Sequence, residues 1–203
     1  MDFLGAQQYI LQQLEQQLPP TLYYHSLGHT QDVVRAALSL AAEEGVRDEE
    51  SLLLLHTAAL YHDAGFMHVY AGHEQEGCRI VREVLPGFRY TTDQIEHICR
   101  MILATKIPQT PSDALGRILC DADLDYLGRD DFEPIAGTLF RELLERQLVP
   151  DEPAWNRIQV QFLEAHRYWT ATANSWRENQ KQQHLMVLRQ IVQGYDALPN
   201  GAA

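Results

Sequence analysis

The sequence is short of basic charge, of cysteine and of long apolar runs. Its 16 Lys and Arg face 28 Asp and Glu, leaving a formal net charge of -12. A surface of that sign repels nucleic acid, and no basic stripe with interleaved aromatics offsets it. A small anionic substrate stays admissible, because a metal and a few cations can reverse the sign locally. Cys78, Cys99 and Cys120 are far apart and form no CxxC pair. Their apolar neighbours mark them as buried free thiols, which argues against a thiolate metal centre. No apolar run is long enough to cross a bilayer, so no membrane partner is expected. The stretch Met1 to Gly5 lacks the basic start of a secretory signal, and the expected location is cytoplasmic. Alternating strand patterns, internal repeats and low-complexity linkers are also missing.

What is present is helical periodicity. Phe3, Leu4, Tyr9, Ile10, Leu11, Leu14 and Leu18 recur at helical spacing until Pro19-Pro20. Val33, Val34, Ala37, Leu38 and Ala41 form a second face. Asp48 is placed to cap a third helix, whose run Leu52 to Leu60 is apolar nearly all round and therefore belongs in the core. Gly65 is the expected stop of that helix. Further helices are expected over 73–85, from Thr92 or Asp93 through Ala104, and over 132–148. A long helical pattern covers 155–192, with a break expected near Thr170 to Asn174. Leu115 to Leu127 is apolar but interrupted by three acids. The reading is an all-α chain of about seven to nine helices.

The chemistry-bearing residues fall in three places. Leu60-Tyr61-His62-Asp63-Ala64-Gly65 sets an imidazole beside a carboxylate at the end of the most apolar helix. Buried ionisable groups are costly unless paired, hydrogen-bonded or bound to metal. A structural His-Asp pair and a metal site both satisfy that demand. His25 and His29 are four apart, which on a helix puts them on one face about 6 Å apart along the axis. Asp121, Asp123 and Asp125 alternate within an otherwise apolar segment. One of them could complete a hard-cation site, while the others cap a helix or face solvent. The spacing is unlike an EF-hand loop.

Taken in order, Tyr24-His25-Ser26-Leu27-Gly28-His29-Thr30, Leu60-Tyr61-His62-Asp63 and Asp121-Ala122-Asp123-Leu124 resemble the metal-binding signature H…HD…D of the HD superfamily of metal-dependent phosphohydrolases. The resemblance spans most of residues 23–130. It implies one compact helical domain of the HD type over 1–203, with its metal-site core at about 23–130 and C-terminal helices 131–195 packed on it. It implies His29, His62, Asp63 and Asp123 as metal ligands, Asp123 being taken over Asp121 by the family's alanine-aspartate order. Asp121 would then cap a helix or bind a water on the metal. Asp63 is the residue able to bridge two metals. The Tyr24-His25 segment also looks like the cyclic-nucleotide phosphodiesterases, in which a histidine four before the first ligand protonates the leaving oxygen; His25 inherits that expectation.

Superfamily members with two tight metals add two more histidines. His73 matches one of them, but Thr105 stands where the other would fall, and His97 is too far along its helix to replace it. The expectation is one tight divalent metal (Mn, Mg, Fe, Co or Ni) and at most a second, weaker one. His73, Lys106, Asp121 and Arg129 are candidate substrate contacts or supports of the ligands. Arg177 and Lys181 are also candidate phosphate contacts, set against a solvated basic face. Trp155, Trp169 and Trp176 are expected in the core. The function implied is hydrolysis of a nucleotide or other small phosphoester by metal-activated water, with His25 as general acid and Asp63 orienting the water. The alternatives are a di-iron oxygenase, against which Thr105 counts, and a non-catalytic nucleotide- or metal-binding sensor. The pattern does not address oligomeric state.

Overall fold

Helices begin where the sequence supplies an oxygen for their first turn. Asp2 accepts from Gly5 N at the start of α1 (Phe3–Gln17), Ser26 from His29 N at α2 (Leu27–Glu43), and Asp48 from Ser51 N at α3 (Glu49–Tyr61). Helix α4 (His73–Val84) starts after Gly72, whose φ of 76° is left-handed. Thr91 and Gln94 form a reciprocal capping box on α5 (Thr92–Thr105). Asp113 caps α6 (Ala114–Asp123), α7 (Phe132–Glu145) follows, and Asp151 caps α8 (Glu152–Ala165). Such a cap stabilises by about 1 kcal/mol. The structure, a computed structural model, describes residues 1–197, and α9 (Ala171–Ala197) closes it. Among the described residues there are nine α-helices, three short 3-10 turns and no strand. Residues 198–203, counted above within the same domain, lie outside the described residues.

Two apolar clusters hold these helices. One gathers α1 to α6 around Ile10, Leu40, Leu55, Ile98, Ile102 and Leu119. Helix α3 is buried over much of its second half, and its Tyr61 hydroxyl donates to Ala6 O at 3.0 Å. The other gathers Leu127, Phe132, Trp155, Leu163, Leu185 and Leu188 from the segment after α6 and from α7 to α9.

Five sequence readings differ from the structure. Helix α3 stops at Tyr61 with His62 as its cap, and Gly65 lies inside the following 3-10 turn, Ala64–Met67. Gly65 is needed for a different reason: a Cβ there would lie 1.9 Å from His73 O, so glycine lets the turn pack on the first residue of α4. The C-terminal helical pattern breaks at 166–170 rather than 170–174. Asp121 of α6 fixes that break, accepting from Trp169 N, Thr170 N and Thr170 Oγ1 at 2.8, 2.8 and 2.7 Å. Arg177 and Lys181 do not form a solvated face. Lys181 is fully buried, with Nζ 2.8 Å from Glu178 and 3.0 Å from His166 O, because α9 lays this face on the 166–168 segment. Asp125, which could have faced solvent, is buried and bound by Arg177 Nε at 2.6 Å. Of the tryptophans, Trp155 is buried, whereas Trp169 and Trp176 are exposed.

Candidate metal centre and its surroundings

Three helix ends meet at one point. His29 stands in the first turn of α2, His62 caps α3, Asp63 follows it, and Asp123 is the last residue of α6. His62 is fully buried, and its Nδ1 is 2.8 Å from Ala59 O. With Nδ1–H donating to that carbonyl, the lone pair is left on Nε2, which points at the carboxylates. His62 Nε2 lies 3.2 Å from Asp63 Oδ2 and 3.5 Å from Asp123 Oδ1. His29 Nε2 lies 3.1 Å from Asp123 Oδ1 and 3.5 Å from Asp63 Oδ2. His29, His62 and Asp123 each offer a ligand atom within 4.8 Å of the others.

His62 Nε2 and Asp63 Oδ2 are buried without a hydrogen-bond partner. Unpaired buried polar atoms cost about 1–3 kcal/mol each, more when charged. A divalent cation satisfies both, and a mixed imidazole and carboxylate set suits several such metals. The residues present therefore fit the group. Burial opposes charge throughout the cluster, but the groups offset one another. Asp63 and Asp123 hold the His62 imidazole above its ordinary pKa, and the imidazoles hold both carboxylates below theirs.

His25 sits beside the cluster, in the segment leading into α2. Its ring centroid is 6.2 Å from that of His29 and 6.2 Å from that of His73. Glu142 of α7 holds it. Glu142 Oε2 accepts from Tyr24 N and His25 N at 3.0 and 3.2 Å, and Oε1 lies 2.5 Å from His25 Nδ1 and 3.0 Å from the Tyr70 hydroxyl. Burial opposes the Glu142 charge, yet the hydrogen bonds and charge of His25 outweigh it and keep the carboxyl below its usual range. Phe66 packs between two imidazoles, its centroid 4.1 Å from His25 and 3.8 Å from His73. His73 Nε2 reaches to 3.5 Å from Asp63 Oδ1.

The fold thus brings together His25, His29, His62, Asp63, His73 and Asp123. It does not bring Asp121, Arg129 or Lys106 into the cluster. Both carboxylate oxygens of Asp121 are taken by the 169–170 segment. Burial pushes its carboxyl up to about 6 in spite of those donors. Arg129 is committed to Asp32 at 2.7 Å and to Asp131 at 2.6 Å. In a chain this acidic, a semi-buried guanidinium is neutralised by its own neighbours. Lys106 is exposed at the end of α5. Thr105 turns its hydroxyl back to Ile102 O at 2.8 Å, and His97 pairs with Asp113 at 2.9 Å.

Glu142, Tyr70, Phe66 and Arg146 went unread in the sequence. Arg146 stacks over the Tyr70 ring at 4.2 Å and keeps a buried Nε without a partner. One signal was available for Glu142: it follows Ile135 and Leu139 at helical spacing, so a carboxylate stands on the apolar stripe of α7.

The family model for the HD domain matches residues 22–125. None of the curated proteins matches the chain. Among solved structures, a predicted HD superfamily hydrolase from an uncultured Thermotogales bacterium is 20% identical over 93% of this chain and 92% of its own, with a TM-score of 0.61. Bacillus subtilis YpgQ in complex with ADP is 19% identical over 96% of this chain and 97% of its own, with a TM-score of 0.65. At such identities the likeness is one of fold. The family match itself runs over half of the chain and through His29, His62, Asp63 and Asp123, and the protein belongs to the HD domain family.

Proposed function

We propose that this protein is a metal-dependent phosphohydrolase acting on a nucleotide or a similar small phosphoester. The observation that carries the reading is the pair of orphaned buried atoms, His62 Nε2 and Asp63 Oδ2, facing His29 and Asp123. These four side chains would hold the metal. Once bound, a divalent cation supplies Lewis acidity and makes water a nucleophile near neutral pH. Asp63 has a second oxygen, Oδ1, turned toward His73, which suits it to orienting that water or to helping hold a weaker second cation. His25 is the proton donor to the leaving oxygen, and Glu142 fixes its ring from the Nδ1 side so that Nε2 is the edge available to substrate. Because Glu142 belongs to α7, the C-terminal helices complete the site, consistent with the whole chain acting as one domain.

The nucleotide class is supported by the ADP complex of the similarly folded YpgQ. A di-iron oxygenase is disfavoured by Thr105, whose side chain serves its own helix. The test is metal analysis of the purified protein, followed by a screen of nucleotides and phosphate esters with added Mn²⁺. Release of phosphate or pyrophosphate that stops on chelation, and returns with metal, is expected. A protein that takes up no divalent metal and hydrolyses none of them would reject the reading.

A further inference from the structure

A cavity of about 270 Å³ opens beside the candidate centre. Its walls are Leu124, Tyr126, Phe132, Leu139, Trp155 and Phe162, from the segment after α6 and from α7 and α8. Two of its lining residues tie it to the chemistry: His25, and Leu124, which directly follows Asp123. Tyr24, also in the lining, has its ring centroid 4.5 Å from that of His29. The lining contains no Lys, Arg, Asp or Glu; apart from His25, the tyrosine hydroxyls and the Trp155 indole N–H, its side-chain polarity is the single amide of Gln159.

These features say which part of a substrate can enter. A phosphate placed among uncharged apolar walls would lose its hydration without gaining a counter-charge, a loss of many-fold in affinity. A flat uncharged ring loses little and gains aromatic and aliphatic contact on both faces. The volume is at the low end for ligand pockets, about 300 Å³ and upward. It suits one ring system rather than a whole nucleotide. With His25 in its wall, a molecule whose ring occupies the cavity presents its ester oxygen to that imidazole.

We propose that this cavity holds the uncharged ring system of the substrate (the base, for a nucleotide) while the phosphoryl group stays at the His29, His62, Asp63 and Asp123 cluster. The enzyme then selects phosphoesters by an aromatic group on the leaving side and discriminates against plain sugar or glycerol phosphates. The inference rests on the phosphohydrolase reading for its catalytic consequence, but the cavity can be probed without catalysis.

Two measurements test it. The first compares 2-phenylethyl phosphate with 2-methoxyethyl phosphate, whose leaving groups are both simple alkoxides. Burying one aromatic ring should raise kcat/KM for the phenyl ester about 10- to 100-fold. Leu139→Trp, which fills the cavity from a half-buried wall position, should bring the ratio of the two kcat/KM values to about one. Metal content and a helical circular-dichroism spectrum equal to those of the wild type show that the variant is folded and metal-loaded. The second measurement titrates 5-fluoroindole, an uncharged bicycle of purine size, into the protein and follows its fluorine resonance. Binding that weakens at least about 10-fold in Leu139→Trp supports the assignment. Equal kcat/KM for the two esters, or indole binding that is absent or indifferent to Leu139→Trp, overturns it. Indole binding lost in the variant, with no hydrolysis of any ester, leaves the ring site standing and removes the phosphohydrolase reading instead.

Discussion

Glu142 grips His25 twice, accepting its backbone N–H at 3.2 Å and facing its ring Nδ1 at 2.5 Å. The two residues are 117 apart in sequence, so the contact ties α7 to the segment that enters α2. A fully buried carboxylate is tolerated there because four donors turn to it: Tyr24 N, His25 N, the His25 ring and the Tyr70 hydroxyl. The consequence for the ring is positional. With Nδ1 held, rotation of the imidazole is blocked and Nε2 is the one nitrogen free to meet a substrate.

Glu142→Gln keeps the shape of the side chain but exchanges one acceptor oxygen for an NH₂ group among donors. Leaving a buried donor unmatched should lower stability by about 1–3 kcal/mol, read from urea unfolding. Metal content should stay at the wild-type level, since Glu142 touches none of the four cluster residues. Turnover of an alkyl phosphoester should fall about 10- to 100-fold, the usual effect of losing an orienting carboxylate behind a functional histidine. Unchanged turnover in the folded variant would show that the ring needs no such hold.

His25→Ala separates a proton donor from a packing residue. An alkoxide leaving group needs its proton as the bond breaks; a nitrophenolate does not. Loss of a general acid should reduce kcat for an alkyl ester by about 10²- to 10⁴-fold, with a much smaller loss for the p-nitrophenyl ester. Metal occupancy should be unaffected, because no His25 atom reaches the cluster within hydrogen-bond distance. Equal large losses on both esters at full metal occupancy would rule out the leaving-group role.

The two aspartates of Asp121-Ala122-Asp123 face opposite tasks, and their asparagine variants should part accordingly. On the proposed ligand set, Asp123→Asn, at a carboxylate 3.1 Å from His29, should strip most of the metal; Asp63→Asn should do the same and abolish hydrolysis. Asp121→Asn removes one of two oxygens that fasten the 169–170 segment, so it should retain metal and lose stability, by about 1–3 kcal/mol. Metal analysis and a melting curve on each variant decide it. A metal-poor Asp121→Asn beside a metal-replete Asp123→Asn would invert the assignment.

How much of this was legible beforehand depends on the range of the interaction. The start of α3 was readable at Asp48 because a cap reaches only three residues. The cluster was readable because His62-Asp63 and Asp123 set ionisable side chains inside apolar runs, where they must find partners. Glu142 was not, although it stands on the apolar stripe of α7. Its meaning comes from Tyr24, His25 and Tyr70, more than 70 residues away. The same holds for Lys181 and Arg177, which look like a surface pair until α9 is laid on His166 and Asp125. The break before α9 was misplaced by a few residues because a distant carboxylate, Asp121, sets it.

Gly65→Ala should act on the site through packing alone. The added methyl would lie 1.9 Å from His73 O, and that neighbour is backbone, which cannot swing aside. The turn and the start of α4 must separate, carrying His73 away from Asp63. Overpacking of this kind costs about 1–3 kcal/mol or more. Urea unfolding should report the loss, and metal affinity should fall less than in Asp63→Asn, because His29, His62 and Asp123 keep their places. Wild-type stability in Gly65→Ala would contradict the close approach.

The last prediction concerns acid stability. His166 is buried between α8 and α9, beside the Lys181 ammonium at 3.4 Å, and its Nε2 has no partner. Burial, followed by the charge of Lys181, holds its pKa down to about 4 against 6.5 for a free imidazole. The unfolded chain therefore takes up a proton at higher pH than the folded one. Stability from this group is complete above about pH 6.5 and drains away as the pH falls toward 4. At about 1.4 kcal/mol for each pH unit separating the two values, the full loss is roughly 3 kcal/mol. His166→Gln carries no such proton, and its backbone carbonyl still accepts from Lys181. Other groups titrate in the same range, so the informative quantity is the difference between wild type and variant. Urea unfolding at pH 7, 5.5 and 4 should show the wild type losing more stability than His166→Gln over that interval, most of the excess appearing below pH 6. Parallel pH profiles for the two proteins would mean that His166 is protonated in the fold or solvated there, and would remove it from the account.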